Sequence, residues 1–315
     1  MTYLKRFGYF IVTALLVSLT ISFIISFVAQ FLHFDLGGGG YAGLFILCLV
    51  YGMVGSFISL QLSRWMAKRF HGVQVLDPNS TNQTERKLID TVYRISRTAG
   101  LEVMPEVGLY DSAEINAFAT GPSKKRSLVA VSSGLLGSMS DSELEGVLAH
   151  EIAHITNGDM VTLTLIQGIV SAFAMFIAQI ITMAIMNAFR SRDDDRRGGM
   201  GDFFIRHMIY NVVSMVLMIF GSIVVNYFSR AREFRADAGG ARFSTPEKMT
   251  AALNRLQLVY GAKPAPIQGE DKPSNSLNTL KISGNSSGMS RLFMTHPPLE
   301  ERIAALKNRT YANSL

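Results

Sequence analysis

The chain has 315 residues, of which 48% are hydrophobic and 17% charged, and a formal net charge of +6; soluble proteins carry roughly 25% charged residues, so an all-soluble chain is excluded. Its cations form no single patch interleaved with aromatics, which argues against nucleic acid and for loops that face anionic lipid. Cys48 is the lone cysteine, so neither an internal disulfide nor a cysteine-built metal site is available.

The apolar residues fall in blocks. The first runs from Phe10 to Leu32 without a charge, long enough to cross a hydrocarbon core of about 30 Å and too long for a cleavable signal peptide, so a retained anchor is expected. A loop containing Gly37 to Gly40 leads to the second block, Tyr41 to Leu62, after which Arg64, Lys68 and Arg69 follow at once. Lys5 and Arg6 precede the first block and no basic residue separates the two, so the positive-inside rule places both ends of a 1–62 transmembrane hairpin in the cytoplasm.

Residues 63–160 read as a cytoplasmic catalytic domain. Leu88, Ile89, Val92 and Ile95 have helical spacing within Thr84 to Ala99, and Gly100 suits the stop. Glu106 to Tyr110, Glu114 to Ala119 and Leu128 to Val131 read as short strands. Ser140-Asp-Ser-Glu143 is a capping box that opens a helix carrying Val147, Leu148, His150, Glu151 and His154, and Asn157-Gly158 closes it.

A second hydrophobic helix pair is expected over 161–228, as blocks Val161 to Phe189 and Met208 to Phe228. The segment between them carries Arg190, Arg192, Arg196, Arg197 and Arg206, which the positive-inside rule would keep in the cytoplasm, as a shallow hairpin would; the block lengths favour full spans. Residues 229–315 form the rest of the catalytic domain: a helix over Pro246 to Val259, a Pro-, Ser-, Asn- and Gly-rich loop at 262–290, and a helix that begins at His296-Pro-Pro and continues through Leu299 to Leu306. The fold class expected is an α+β membrane protein, mostly helical, with about four transmembrane helices and a gluzincin-type domain holding a small β-sheet.

The chemistry starts at His150-Glu-Ile-Ala-His154, which fits H-E-x-x-H. Positions i and i+4 share a helix face, so two imidazoles can bind one Zn²⁺, and Glu151 can act as base toward a water. A catalytic zinc keeps three protein ligands and one open position. His33, His71 and His207 lack ligand spacing to the motif, which leaves a carboxylate from Asp159, Asp193 to Asp195, Asp202, Glu233 or Asp237. Glu233 and Asp237 are spaced i, i+4, so one can bind metal while the other orients a ligand histidine.

Three segments then carry a resemblance: HEIAHITNGDMVT, SRAREFRADAG (Ser229 to Gly239) and FMTHPPLEERI (Phe293 to Ile303). The chain resembles the HtpX family of bacterial heat-shock membrane metalloproteases, and more loosely the eukaryotic CAAX prenyl proteases. The resemblance implies that His150, His154 and Glu233 bind one zinc per chain, that Glu151 is the base, and that Asp237 stands behind the ligands. It implies that Asn116 to Ala119, with Phe118, form an edge strand that holds the substrate backbone, and it puts His296 and Arg302 near the metal, His296 as a catalytic residue and Arg302 as a substrate-binding one. Its activity would be endoproteolysis of misfolded or damaged membrane proteins, in a multi-pass protein of the bacterial inner membrane with a cytoplasmic active site. The partners would be polypeptide substrates and the bilayer, with self-cleavage invited at 262–290. A narrow-substrate housekeeping peptidase and a non-enzymatic scaffold are the rivals; a scaffold with a relic motif would be expected to lose Glu151 or Glu233, and both are present.

Overall fold

In the computed structural model, residues 40–189, 200–261, 292 and 294–308 are described. The first apolar block, the arginine-rich loop with Asp193 to Asp195, and the 262–290 loop lie outside them. Among the described residues three helices are long and apolar enough to cross a membrane, α1 (Gly40–Phe70), α5 (Asp159–Ala188) and α6 (Met200–Phe243). They pack on one another and leave a collar of apolar side chains exposed, among them Val54, Phe57, Ile169, Phe173, Val216 and Phe220. A solvated protein would bury such a collar, whereas lipid tails cover it at no cost.

Helix α6 is the element that the block pattern understated. Its 44 residues span roughly 66 Å at 1.5 Å per residue, about twice a hydrocarbon core. The helix therefore continues without a break from the apolar stretch into the segment that bears Glu233 and Asp237.

The remaining elements build the catalytic layer. Strands β1 (Gln74–Val75), β2 (Glu106–Tyr110), β3 (Ala117–Ser123) and β4 (Arg126–Ser132) form one sheet in the order β1-β2-β4-β3. β2 and β4 run parallel and the other neighbours antiparallel, so β3 is an edge strand. It starts later and runs further than the sequence suggests: Gly121 and Pro122, turn residues by type, lie inside it. An edge strand tolerates proline because one side of its backbone has no ladder partner.

Helix α2 (Gln83–Thr98) begins at Asn82, whose side chain accepts from the N–H groups of Thr84 and Glu85. Its buried face, Leu88, Ile89, Val92 and Ile95, packs with Leu148, Ile152 and Ile155 of α4 (Asp141–Asn157). Each such side chain contributes about 1.5–3 kcal/mol when fully buried. Short α3 (Ser133–Ser138) links β4 to α4, and α7 (Pro246–Gly261) and α8 (Leu299–Lys307) close the core with Leu253, Leu256, Ile303 and Leu306.

Candidate active site

The capping box sets the start of α4: Ser140 Oγ accepts from the Glu143 N–H and the Glu143 carboxylate accepts from the Ser140 N–H. Gly158 sets its end. At φ +71° it occupies the left-handed region that glycine enters freely, and the chain reverses there into α5. That reversal returns Asp159 to the last turn of α4, where its Oδ2 stands 2.7 Å from His154 Nδ1.

Helix α6 crosses α4 closely because small residues line the contact. A Cβ on Gly239 would stand 2.7 Å from Ala153 Cβ, and one on Gly240 would stand 3.1 Å from the His150 backbone nitrogen. This approach delivers Glu233 to the two histidines. His150 Nε2 lies 3.5 Å from Glu233 Oε2, His154 Nε2 lies 3.4 Å from Glu233 Oε1, and the two Nε2 atoms are 3.2 Å apart. Two ligands about 2.0–2.1 Å from a tetrahedral zinc stand roughly 3.3–3.4 Å apart, so the trio has the spacing of three corners of one coordination shell.

The remaining contacts agree with a cation there. Glu233 is fully buried, yet neither carboxylate oxygen receives a hydrogen bond; His296 Nδ1 approaches Oε2 to 2.8 Å off the hydrogen-bonding line. Arg302 Nη1 and Arg232 Nε stand 3.6 and 3.8 Å from these oxygens, beyond hydrogen-bond reach, so the buried carboxylate keeps room for a closer cation. Behind the trio, Asp237 Oδ1 is 2.9 Å from His150 Nδ1 and Asp159 Oδ2 is 2.7 Å from His154 Nδ1, so both rings turn Nε2 toward Glu233. Burial alone pushes the His154 imidazole down, but Glu233 and Asp159 outweigh it and hold it up at about 9. His150 is likewise raised against its burial by Asp237 and Glu233. The site's field favours positive charge at the meeting point of the three side chains.

Glu151 turns away from the trio's backing residues and accepts a 2.8 Å hydrogen bond from the Ala119 N–H. Its neighbours His150, His154, Glu233, His296 and Asn116 line the same cleft. Backbone groups alternate along a strand. The Asn116 carbonyl bonds Ser132 of β4, so Ala117 and Ala119 point their backbone groups to the open side and Phe118 points its own at β4. The Phe118 ring packs on Tyr110 and His71, 5.7 and 5.9 Å between centroids. The open side of the strand thus presents the backbone of Ala117 and the carbonyl of Ala119, on either side of Phe118, while the Ala119 N–H is taken by Glu151.

Arg302, expected as a substrate binder, lines the cleft with its guanidinium engaged by Asp237. It is 2% exposed and forks onto Asp237, with Nε 2.8 Å from Oδ2 and Nη2 2.6 Å from Oδ1. Burial disfavours its charge, but Asp237 and Glu233 raise its pKa well above the usual value. A guanidinium so engaged orients Asp237, and through it His150.

Asp159, one of several possible ligands by residue type, stands behind His154 instead, and its place directly after Gly158 is the signal for a residue folded back on the motif. Arg232 was not singled out at all. It lines the cleft next to Glu233, and its Nε is buried without an acceptor.

Comparison with known proteins agrees with this geometry. Residues 82–310 match Peptidase family M48. A protein named Protease HtpX from Aeromonas hydrophila subsp. hydrophila is 48% identical over 304 residues, covering 96% of this chain and 100% of that one. Protease HtpX of Shewanella piezotolerans is 49% identical over 268 residues, covering 84% of this chain and 88% of its own. The crystal structure of S. mikatae Ste24p superposes with a TM-score of 0.63 at 17% identity, over 96% of this chain and 67% of that one, a likeness of fold.

Proposed function

The chain belongs to peptidase family M48 and is a membrane metalloprotease, and on that premise we propose that it is a zinc endopeptidase that cuts misfolded or damaged membrane proteins from the cytoplasmic side of the inner membrane. The observation that carries the metal is the spacing of His150, His154 and Glu233, with both Glu233 oxygens lacking a hydrogen bond. The cytoplasmic side rests on Arg64, Lys68 and Arg69 at the end of α1.

Those three side chains would hold zinc, which when bound polarises a carbonyl and makes water more acidic. Glu151 takes the proton of the attacking water and returns it to the leaving amine. The Ala119 N–H holds Glu151 in place, which leaves the Ala119 carbonyl and the backbone groups of Ala117 to align an extended peptide beside it, with Asn116 at the same cleft wall. His296, turned by Nδ1 toward Glu233, offers its other nitrogen to the oxygen that gains charge. Asp159, Asp237 and Arg302 position the ligands. Recognition through backbone groups ignores side-chain identity, which suits a protease for damaged proteins.

Full-length protein in detergent should degrade casein and clip itself when zinc is present, stop when a chelator is added, and recover when zinc is restored. Equal degradation in chelator and in zinc would eliminate a metal-dependent mechanism.

The strand and His296 separate in kinetics. N-methylation of single amides in a peptide substrate should raise KM at alternate positions only, where the amide meets the Ala117–Ala119 edge. His296→Ala should lower kcat by about 10²–10³-fold with zinc content unchanged, the scale of one lost oxyanion donor. Loss of zinc in proportion to activity would make His296 structural, and a KM blind to the position of the methyl group would remove the strand from recognition.

A further inference from the structure

The tip of the β3–β4 hairpin carries three consecutive cations, Lys124 and Lys125 in the turn and Arg126 at the start of β4, all exposed. Nothing in the catalytic reading uses them. Their position is specific. Arg126 Nη2 donates to Gln61 Oε1 at 3.1 Å, in the last turn of the apolar run of α1. Lys124 passes over Gly158, with its Cε 3.8 Å from where a Cβ would stand, three residues before the apolar run of α5 begins at Val161. The hairpin tip therefore sits against two membrane helices at the level where each leaves its apolar stretch. Acidic company is sparse: Lys125 meets Glu102 at 2.9 Å with both side chains at least 70% exposed, a pair too solvated to neutralise it. By contrast, Arg64 and Lys68 on α1 are both engaged by Glu106. Trp65 and Phe70, 56% and 68% exposed, pair edge-to-face at this end of α1, as residues at a headgroup boundary do.

We infer that the Lys124-Lys125-Arg126 hairpin tip is a docking site for anionic phospholipid headgroups, which sets the height of the catalytic cleft above the bilayer. The stem of this hairpin is β3 itself, and Ala119 on that stem holds Glu151, so headgroup contact at the tip fixes where the substrate strand lies. Three cations at a headgroup surface each strengthen association by roughly fivefold. The inference rests on the membrane-bound reading and not on the identity of the substrate.

The single tryptophan supplies the probe, since Trp65 lies four residues beyond Gln61 on the same helix. The full chain is reconstituted in phosphatidylcholine vesicles containing phosphatidylglycerol, with one lipid or the other brominated, and Trp65 quenching gives the relative binding constant. Wild type should prefer phosphatidylglycerol by about tenfold or more, and Lys124→Glu with Lys125→Glu should bring the preference close to unity. Lys124→Arg with Lys125→Arg should keep it, and soluble-peptide cleavage in detergent should be unchanged in both variants. An undiminished preference in the Glu variant overturns the inference, and so does a preference that binding of an acidic peptide or an oligonucleotide replaces. Because quenching is read without turnover, failure of the protease mechanism would leave the lipid result standing.

Discussion

Replacing Glu151 with glutamine is expected to lower turnover by at least about 100-fold while zinc content and thermal stability stay near wild type. Glutamine keeps the length of the side chain, and its carbonyl can still accept the Ala119 N–H that Glu151 accepts at 2.8 Å. What it lacks is basicity, and general-base transfer contributes typically 10²–10⁴-fold. Glu151 is no partner in the ion pairs that build the metal trio, which run among His150, His154, Glu233, Asp237 and Asp159. Its loss should therefore leave that cluster intact. Metal analysis beside steady-state kinetics on a peptide decides the matter: near-normal turnover in zinc-loaded Glu151→Gln protein would sink the mechanism.

The second large effect separates the two carboxylates of α6. Glu233→Ala should lose zinc outright, whereas Asp237→Asn should weaken binding by about 10–100-fold. Glu233 is the carboxylate whose oxygens face both Nε2 atoms without a hydrogen bond, and Asp237 is the one spent on His150 Nδ1 and Arg302. Asp237→Asn also takes from the buried Arg302 the nearer of its two counter-ions and leaves it only Glu233 at 3.6 Å, and breaking a buried pair on one side costs up to about 3–5 kcal/mol. It should therefore melt earlier than Glu233→Ala even though it keeps more metal. Zinc titration and thermal melting of both variants check this, and a greater loss of zinc from Asp237→Asn would reverse the two roles.

Much of this site was legible from spacing, for one physical reason. His150, Glu151 and His154 lie on one helix, as do Glu233 and Asp237, and a helix turns spacing of three or four residues into a shared face. The same local logic made the Ser140–Glu143 cap, the Gly158 stop and the amphipathic face of α2 readable. The three membrane blocks among the described residues were readable because a hydrocarbon core demands length and apolarity, which are properties of the chain alone.

Spacing could not say how elements meet. That Asp159 would turn back onto His154 depended on the backbone at Gly158, and that Glu233 would reach the histidines depended on α6 crossing α4 at Gly239 and Gly240. Arg302 lies 65 residues from Asp237, and packing of α8 alone decided that its fork would close on that carboxylate. Ala119 has no polar side chain to announce a role, yet its N–H is what holds Glu151, because β3 is an edge strand with a ladder partner on one side only. Residue type and local period determined which chemistry was present, since both act within one or two turns of chain. The orientation of that chemistry was decided by contacts between segments far apart in sequence, where burial and close packing select a single arrangement.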